Sequence, residues 1–244
     1  MKQVTFEIVS NRPIARDIYD LRLSGDASAI TAPGQFVNLR LPGFYLRRPI
    51  SVCDWGEGWL RLVYKVQGKG TAALSAYPAG AALDALTGLG NGYDLPRCGA
   101  RPLLVGGGVG VPPLLGLAKC LTDQGKSPCA VLGFNTAAEA ILTEDFAALA
   151  VPVTLCTADG SAGLRGLVTD GMDRAGDYSH VCACGPEAML RAVSAKCAAG
   201  GQFSLEERMG CGFGACMGCS CQTKSGPKRI CREGPVLNKE ELLW

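Results

Sequence analysis

Histidine is almost missing from this chain, which has His180 as its single histidine among 244 residues. The sequence contains no Ser-His-Asp or Cys-His constellation of the kind that activates a nucleophile. His180 itself falls in an apolar segment that predicts a buried strand, so we expect it to be a core residue. The sequence therefore offers no histidine-dependent constellation for nucleophilic catalysis.

Excess charge and long apolar runs are missing as well. The 24 basic and 22 acidic side chains give a net charge of +2 with no run of lysine or arginine, so neither nucleic acid nor an anionic membrane is implied as a partner. No apolar stretch reaches the roughly 18 residues that a membrane helix needs, and no secretion signal follows Met1. With 48% hydrophobic residues, we expect a cytoplasmic protein of two domains and a small appendage.

Cysteine, in contrast, is abundant, with 13 residues in the chain. Cys211, Cys216 and Cys219 follow the spacing C-x4-C-x2-C, and Cys231 lies a short distance downstream. This is the arrangement with which plant-type ferredoxins hold a 2Fe-2S cluster. Interspersed glycines let backbone N–H groups approach the sulfurs and stabilise the negative charge of the cluster. The motif predicts a protein that moves single electrons.

Other interpretations of these cysteines are weaker. Zinc sites usually show C-x2-C pairs, which the x4 spacing does not match. A disulfide framework conflicts with the odd number of cysteines and the missing secretion signal. Five cysteines compete for four positions, and we leave out Cys221 because its neighbours already complete the motif. We expect Cys221 to be a small buried residue on the strand that leaves the loop.

Residues 1–98 predict a small antiparallel β-barrel. Short alternating or apolar segments are separated by turn-forming stretches, and no helical pattern lies between them. These segments cover residues 3–10, 18–23, 35–41, 50–54 and 59–65. A glycine-rich stretch at 68–71 then leads into a helix for which Thr71 is the expected cap. The free N–H groups of such a helix start suit a pyrophosphate, although an ordinary capped helix explains the pattern equally well.

A sharper signal is the run Arg47-Arg48-Pro49-Ile50-Ser51 at the start of a barrel strand. A guanidinium three residues before a hydroxyl allows alternate side chains to reach the phosphate and the ring of one elongated ligand. A pair of surface arginines before an edge strand would have the same sequence pattern. The motif alone does not separate these two interpretations.

From residue 101 onward the pattern changes to strand, glycine loop and helix, which is the rhythm of a doubly wound α/β domain. Strands are predicted at 102–105, 127–134, 152–156 and 180–183, and a helix at 114–122. The loop after the first strand reads G-x-G-x-G-x-x-P across Gly106, Gly108, Gly110 and Pro113. Its glycines allow close approach to a pyrophosphate, and the turn Cys184-Gly185-Pro186 ends a later strand at the same crevice.

The order of these motifs resembles the ferredoxin-NADP-reductase superfamily, in which a flavin barrel precedes a nicotinamide domain. The matching motifs are RPxS, GxGxGxxP and CGPxxM. The segment 204–209, the cysteine loop and the ending 231–236 are similar to the electron-transfer subunits of NAD-dependent dihydroorotate dehydrogenase. The resemblance spans essentially the whole chain. It implies an FAD-binding barrel at 1–98, an NAD-binding α/β domain at 99–203 and a 2Fe-2S subdomain at 204–244.

The same resemblance implies a role for each motif. FAD would be held by Arg48, Pro49, Ile50, Ser51, Val63, Tyr64, Lys65, Gly70 and Thr71, with the arginine on the pyrophosphate and Ser51 near the reactive ring nitrogen. NAD would face Gly106, Gly108, Gly110, Cys184, Gly185 and Pro186. Cys184 would lie near the nicotinamide, although a buried strand-end thiol is an open alternative. The cluster ligands would be Cys211, Cys216, Cys219 and Cys231.

A mechanism follows from what each cofactor can do. Nicotinamide exchanges hydride and a 2Fe-2S cluster passes single electrons, so a flavin must stand between them. In this family dihydroorotate is oxidised on a separate FMN-containing subunit during pyrimidine biosynthesis, which implies flow from FMN through the cluster and FAD to NAD in a heterotetramer of two plus two. A reductase subunit of the ferredoxin:NADP transhydrogenase or sulfide dehydrogenase type would share the fold and cofactors. A colourless zinc protein without flavin is a third hypothesis.

The choice between NAD and NADP depends on few residues. Asp159 follows the predicted third strand of the α/β domain, where a carboxylate would repel a 2′-phosphate and accept a hydrogen bond from a free ribose hydroxyl. Arg165 is close enough in sequence to serve a phosphate instead. We expect NAD.

The remaining cysteines have no mutual spacing that would suit a metal. We expect them to be small core residues, which is the usual role of a reduced buried thiol. They are Cys53, Cys98, Cys120, Cys129, Cys156, Cys182 and Cys197.

Overall fold

A computed structural model describes residues 1–244, and its N-terminal part is a closed antiparallel barrel of six strands. The barrel order is β1-β2-β5-β4-β3-β6. The strands are β1 (Lys2–Ala15), β2 (Ile18–Ser24), β3 (Phe36–Leu39), β4 (Arg48–Gly56), β5 (Trp59–Lys65) and β6 (Ala82–Leu89). The predicted barrel is confirmed. Strand β6, which the sequence analysis did not include, closes it by pairing with both β1 and β3.

One short helix, α1 (Lys69–Ser75), precedes β6. The expected cap at Thr71 was wrong, because the helix begins directly after Gly68, whose φ of 134° suits glycine. Thr71 lies in the first turn, where its hydroxyl accepts a hydrogen bond from the Gln67 backbone N–H at 2.8 Å. Buried Leu74 holds the helix against the barrel.

The second half forms an α/β unit. Its parallel strands are β7 (Pro102–Gly107), β8 (Cys129–Phe134), β9 (Val153–Thr157), β10 (Leu164–Arg165), β11 (His180–Cys184) and β12 (Gly201–Ser204). The helices are α2 (Val111–Asp123), α3 (Thr143–Ala148), α4 (Val168–Met172) and α5 (Glu187–Lys196). Helix α2 begins three residues before the predicted start, with two prolines in its first turn, where a missing N–H costs no hydrogen bond.

The C-terminal segment adds a small hairpin and then returns to the large sheet. The hairpin consists of β13 (Ser220–Thr223) and β14 (Gly226–Arg229). The last strand, β15 (Val236–Asn238), pairs antiparallel with β12. The sheet therefore has seven strands in the order β10-β9-β8-β7-β11-β12-β15. The boundaries 1–98, 99–203 and 204–244 stay a prediction.

Helix α2 fastens the α/β unit to the barrel. Gly116 of this helix lies so close to the barrel that an added Cβ would stand 2.7 Å from the Cys53 carbonyl oxygen. Half-buried Arg61 of β5 pairs with Asp20 of the barrel and with Asp145 of α3. These contacts hold the two units around the space between them. None of the helices combines the length and the apolar character that crossing a membrane requires.

Candidate functional site

A cavity of about 410 Å³ opens among β4, β5, α1 and the segment that follows β12. Stretches from the barrel, the α/β unit and the C-terminal segment converge on it. All nine residues that the resemblance assigns to a flavin line this cavity: Arg48, Pro49, Ile50, Ser51, Val63, Tyr64, Lys65, Gly70 and Thr71. Cys184, which ends β11, lines it too. The structure thus brings the predicted flavin residues together in one place.

The two arginines of the barrel motif have different surroundings. Arg47 pairs with Asp84 and donates a hydrogen bond to the Asn38 carbonyl at 3.2 Å, so it fastens barrel strands to one another. Arg48 lies in the cavity against Gly70, where an added Cβ would stand 2.1 Å from its Nε. A guanidinium beside the start of a helix is suited to a phosphate group. Arg48 is therefore the arginine of this pair that can bind a ligand.

The barrel wall of the cavity is largely apolar. Val63 and Tyr64 are buried, and the Tyr64 ring stacks on Tyr19 with 5.6 Å between ring centroids. The Tyr64 hydroxyl donates to Asn11 Oδ1 at 3.0 Å, and burial raises the pKa of this phenol. An apolar wall with a few fixed polar groups is typical of a site for an aromatic ring system.

A larger cavity of about 870 Å³ lies at the carboxyl ends of the parallel strands. The predicted nucleotide residues on its wall are Gly108, Gly110, Gly185 and Pro186. An added Cβ on Gly110 would stand 2.3 Å from the Cys184 carbonyl oxygen, so the close approach of two loops requires glycine here. Open α/β sheets bind ligands in such crevices.

Two predicted nucleotide residues lie elsewhere. Gly106 is buried beneath α2, where an added Cβ would stand 2.8 Å from Val111 Cγ2, so this glycine permits helix packing. Cys184 lines the smaller cavity but not the larger one. Burial raises the pKa of its thiol to about 12, which keeps the group protonated near neutral pH.

The two cavities adjoin. Their walls share Lys65, Gln67, Val109 and Glu206. The sequence analysis did not include Glu206 in the site, because it did not predict β12, the strand that carries the chain to this position. The Glu206 side chain is exposed to solvent through the open cavities. The surrounding protein still removes part of its hydration, which raises the pKa of the carboxyl group. A polar group thus stands at the junction.

The acidic residues on the wall of the larger cavity are Asp17, Glu139 and Glu206, and the predicted Asp159 is not among them. Asp159 does not line it, because its carboxylate accepts hydrogen bonds from the Ser161 N–H at 2.9 Å and hydroxyl at 2.6 Å. Arg165 is outside it as well and packs along Gly160. At this edge the wall contains Asn135 and half-buried Glu139. Glu139 Oε2 accepts from the Asn135 side-chain amide at 2.9 Å.

The four predicted ligand cysteines form two pairs. Cys211 Sγ accepts a hydrogen bond from the Cys216 N–H at 3.4 Å, and Cys216 Sγ accepts from the Cys211 N–H at 3.4 Å. In the other pair, Cys219 Sγ accepts from the Cys231 N–H at 3.4 Å. No three Cys, His, Asp or Glu side chains converge on a point that would suit a single metal ion. Two thiol pairs are a donor set that fits two irons.

The two pairs differ in exposure. Cys216 is exposed and Cys211 is half-buried, whereas Cys219 and Cys231 are each 2% exposed. Burial raises the pKa of Cys231 to about 12. Burial also acts on Cys211, but hydrogen bonds from neighbouring backbone N–H groups outweigh it and bring the pKa to about 6. Backbone N–H groups directed at sulfur are what an anionic cluster needs.

Two features shape the cysteine loop, residues 210–219. Gly212 and Gly214 have φ values of 76° and 93°, a region that favours glycine. Arg229 of β14 donates to the Gly214 carbonyl at 2.6 Å and pairs with Glu233, which anchors the loop to the hairpin. Cys221 lies on β13, half-buried and outside both thiol pairs. Its placement on the strand that leaves the loop agrees with the prediction, whereas the expected full burial was wrong.

Comparison with known proteins gives consistent matches. A family model described as the iron-sulfur cluster binding domain of dihydroorotate dehydrogenase B matches residues 206–243. Two curated relatives are named dihydroorotate dehydrogenase B (NAD(+)), electron transfer subunit. The protein of Bacillus caldolyticus is 42% identical over 97% of this chain and 96% of its own length. That of Geobacillus sp. (strain WCH70) is 41% identical over 100% of this chain and 99% of its own length.

Solved structures agree with the fold. The structure of an NADH-dependent reduced ferredoxin-NADP oxidoreductase, described for flavin-based electron bifurcation, matches 98% of this chain and 90% of that chain with a TM-score of 0.89 and 34% identity. Phthalate dioxygenase reductase matches 80% of this chain and 64% of that chain with a TM-score of 0.65. At 21% identity, the second likeness shows the fold alone.

Proposed function

The chain belongs to the family of dihydroorotate dehydrogenase B electron-transfer subunits, and we propose that it carries electrons from an FMN-containing catalytic partner to NAD during pyrimidine biosynthesis. The observation that carries this proposal is the contiguity of three sites. The two cavities share a wall at Glu206. Met209 and Pro235, which flank the cysteine segments in sequence, line the smaller cavity. The thiol pairs, the smaller cavity and the larger cavity thus follow one another.

Three cofactors fit these sites. When bound, FAD would exchange hydride with nicotinamide and single electrons with a 2Fe-2S cluster. Arg48 and the start of α1 would hold the FAD phosphates, while Ser51 and Tyr64 would line its ring. Gly108, Gly110 and Gly185 would let the NAD backbone approach the strand ends. The ligands of the cluster would be Cys211, Cys216, Cys219 and Cys231.

The protein groups around the flavin cavity position their ligand and supply no nucleophile. The Cys184 thiol stays protonated near neutral pH because burial raises its pKa to about 12. Val63 and Tyr64 of β5 are buried and would line the flavin site on its barrel side. Lys65 and Glu206 place one positive and one negative side chain where the cavities meet. A site that binds its ligands and offers no nucleophile would suit hydride exchange better than acid–base catalysis.

A catalytic partner subunit follows from the family, and we infer that it covers the cysteine loop. Phe213 and Met217 of this loop are 43% and 54% exposed, although both are large and apolar. A cluster that exchanges electrons with a partner must also lie close to it. We further propose two of these subunits with two partner subunits. Hydrogen exchange should show protection at residues 210–219 on partner binding; protection in the barrel alone would contradict this placement.

The test of the function is anaerobic co-purification with cofactor analysis. A stable complex with an FMN protein that reduces NAD with dihydroorotate supports the proposal. Oxygen-protected material that contains neither iron nor acid-labile sulfide would refute it. The likeness to the NADH-dependent reduced ferredoxin-NADP oxidoreductase, at 34% identity, supports a second candidate, a subunit of a ferredoxin:NADP-type reductase. In that case the co-purifying partner would carry several additional clusters and would not oxidise dihydroorotate.

A further inference from the structure

The short strand β3 has an outward face that is as well buried as its inward face. Val37 and Leu39 point into the apolar core of the barrel. Phe36 and Asn38 alternate with them and therefore lie on the outside of the barrel. They are nevertheless only 3% and 1% exposed. The C-terminal segment covers this face.

Phe36 links the two redox sites proposed above through one buried cluster. It lines the smaller cavity, and it belongs to the same buried apolar cluster as Cys219, Ile230 and Cys231. Across the barrel ladder, Phe36 pairs with Ser51 of β4, a flavin residue. Strand β3 therefore lies between the flavin cavity and the thiol pairs.

Asn38 contacts the other end of the cysteine segment. Its side-chain amide donates a hydrogen bond to the Cys211 carbonyl at 3.1 Å. It also packs tightly on the next residue, because an added Cβ on Gly212 would stand 2.3 Å from Asn38 Nδ2. Across the ladder Asn38 pairs with Pro49, next to Arg48. One side chain of the barrel thus fixes the first thiol pair relative to the flavin strand.

The fold alone gives no reason for an amide at this position. Asn38 Oδ1 is buried and has no hydrogen-bond partner. An unpaired buried acceptor lowers stability, whereas an apolar side chain of similar shape would carry no such cost. The benefit of the asparagine must therefore come from the hydrogen bond of its amide to the cysteine loop.

We propose that Asn38 is a positioning residue that holds Cys211 at the flavin barrel and raises the midpoint potential of the cluster. The amide directs its positive N–H end at the backbone of a ligand cysteine, and positive potential there favours the more negative, reduced state. The hydrogen bond also fixes one conformation of the loop. This inference rests on the proposed function, because it requires that the cysteines bind a cluster.

The test compares wild-type complex with Asn38→Leu, which removes both polar atoms at similar size, and Asn38→Ala, which removes them without risk of overpacking. The measurements are the EPR spectrum of the dithionite-reduced cluster and its midpoint potential by redox titration. Both variants should show a lower midpoint potential and a mixture of EPR species in place of one. FAD content should stay at the wild-type level, since neither variant removes a group that lines the flavin cavity.

Gln202→Leu is the matched control. Gln202 is an equally buried amide, at 2% exposure, and it donates to the Asp94 carbonyl at 3.1 Å away from the cysteine loop. Its replacement should lower the melting temperature and leave the EPR spectrum and potential unchanged. An unchanged spectrum and potential in Asn38→Leu, or in Asn38→Ala if the leucine variant does not accumulate, would overturn the inference while the wild-type cluster still supports the function. Absence of iron from the wild type would instead refute the function.

Discussion

The nucleotide crevice and the cysteine loop differ in what holds their shape. The crevice lies at the ends of β7 and β11, central strands that pair with neighbours on both sides. The cysteine loop has a two-stranded hairpin behind it, and its sulfurs accept hydrogen bonds from the backbone of the cysteine segments themselves. The crevice is therefore built by the fold alone. We expect the loop to depend more on its ligand and on contacts such as that with Asn38.

The strongest test of this comparison is the loss of one buried ligand. Cys219→Ser should abolish the 2Fe-2S signal, because a neutral hydroxyl replaces a thiolate, while FAD and NADH oxidation with an artificial acceptor should persist. Iron, labile sulfide and diaphorase activity measure these outcomes. Cys221→Ser is the matched control two residues away and should keep a full cluster. Loss of FAD binding in Cys219→Ser would show that the flavin site also depends on the cluster and would break the comparison.

The next largest effect concerns the flavin. Arg48→Glu replaces the proposed phosphate partner with a like-charged group, so we expect FAD occupancy to fall by more than about tenfold, as loss of a charged hydrogen bond plus repulsion implies. The absorbance of purified protein near the flavin bands measures it. Arg12→Glu, an exposed position on β1, should bind FAD like the wild type. Full occupancy in the Arg48 variant would refute the assigned role.

A smaller effect is expected at the nucleotide end of the crevice. Glu139→Gln removes one of the negative charges that face the larger cavity but keeps the shape. Binding of NADPH should therefore improve relative to NADH by up to about fivefold, which corresponds to the ~1 kcal/mol upper range of one exposed charge contact. Dissociation constants for both nucleotides, measured by titration, give the ratio. Asp159→Asn is the control and should leave the ratio unchanged. A shift in the Asp159 variant alone would restore the assignment made from sequence.

The predicted parts of the site share one property, which is that their residues are contiguous. The thiol spacing, the Arg48–Ser51 run and the glycine loop each place their functional residues within one short segment. The amino-acid sequence is therefore enough to recognise them. The barrel and the doubly wound order followed from strand spacing in the same way. Strand β12 escaped prediction because residues 201–204 are few, and two of them are polar yet buried.

The residues that sequence reasoning missed or misplaced depend on tertiary contacts. Asn38 and Glu206 lie far in sequence from the segments they adjoin. Asn38 falls inside a predicted strand and Glu206 inside the segment 204–209 that carries the resemblance, but neither pattern assigns the residue to a site. Asp159 follows the expected strand, but Ser161 engages its carboxylate. Gly106 belongs to the glycine loop by spacing, yet its position under α2 gives it a packing role. Short sequence motifs thus identify the chemistry, while tertiary contacts determine which group faces the ligand.

The smallest expected effect concerns how the stability of the parallel sheet depends on pH in protein without the cluster. Burial, followed by the nearby positive charge of Arg97, lowers the pKa of His180, so the native state stays neutral at a pH where the unfolded chain takes up a proton. Stability should therefore be unaffected above the ordinary value of about 6.5 and fall as the pH drops from there to the native pKa, by at most about 1.4 kcal/mol per pH unit. Denaturant titrations of the cluster-free Cys219→Ser protein avoid acid release of iron. His180→Gln in that background should flatten the dependence, and an equally steep loss in both proteins would assign the acid sensitivity to other groups.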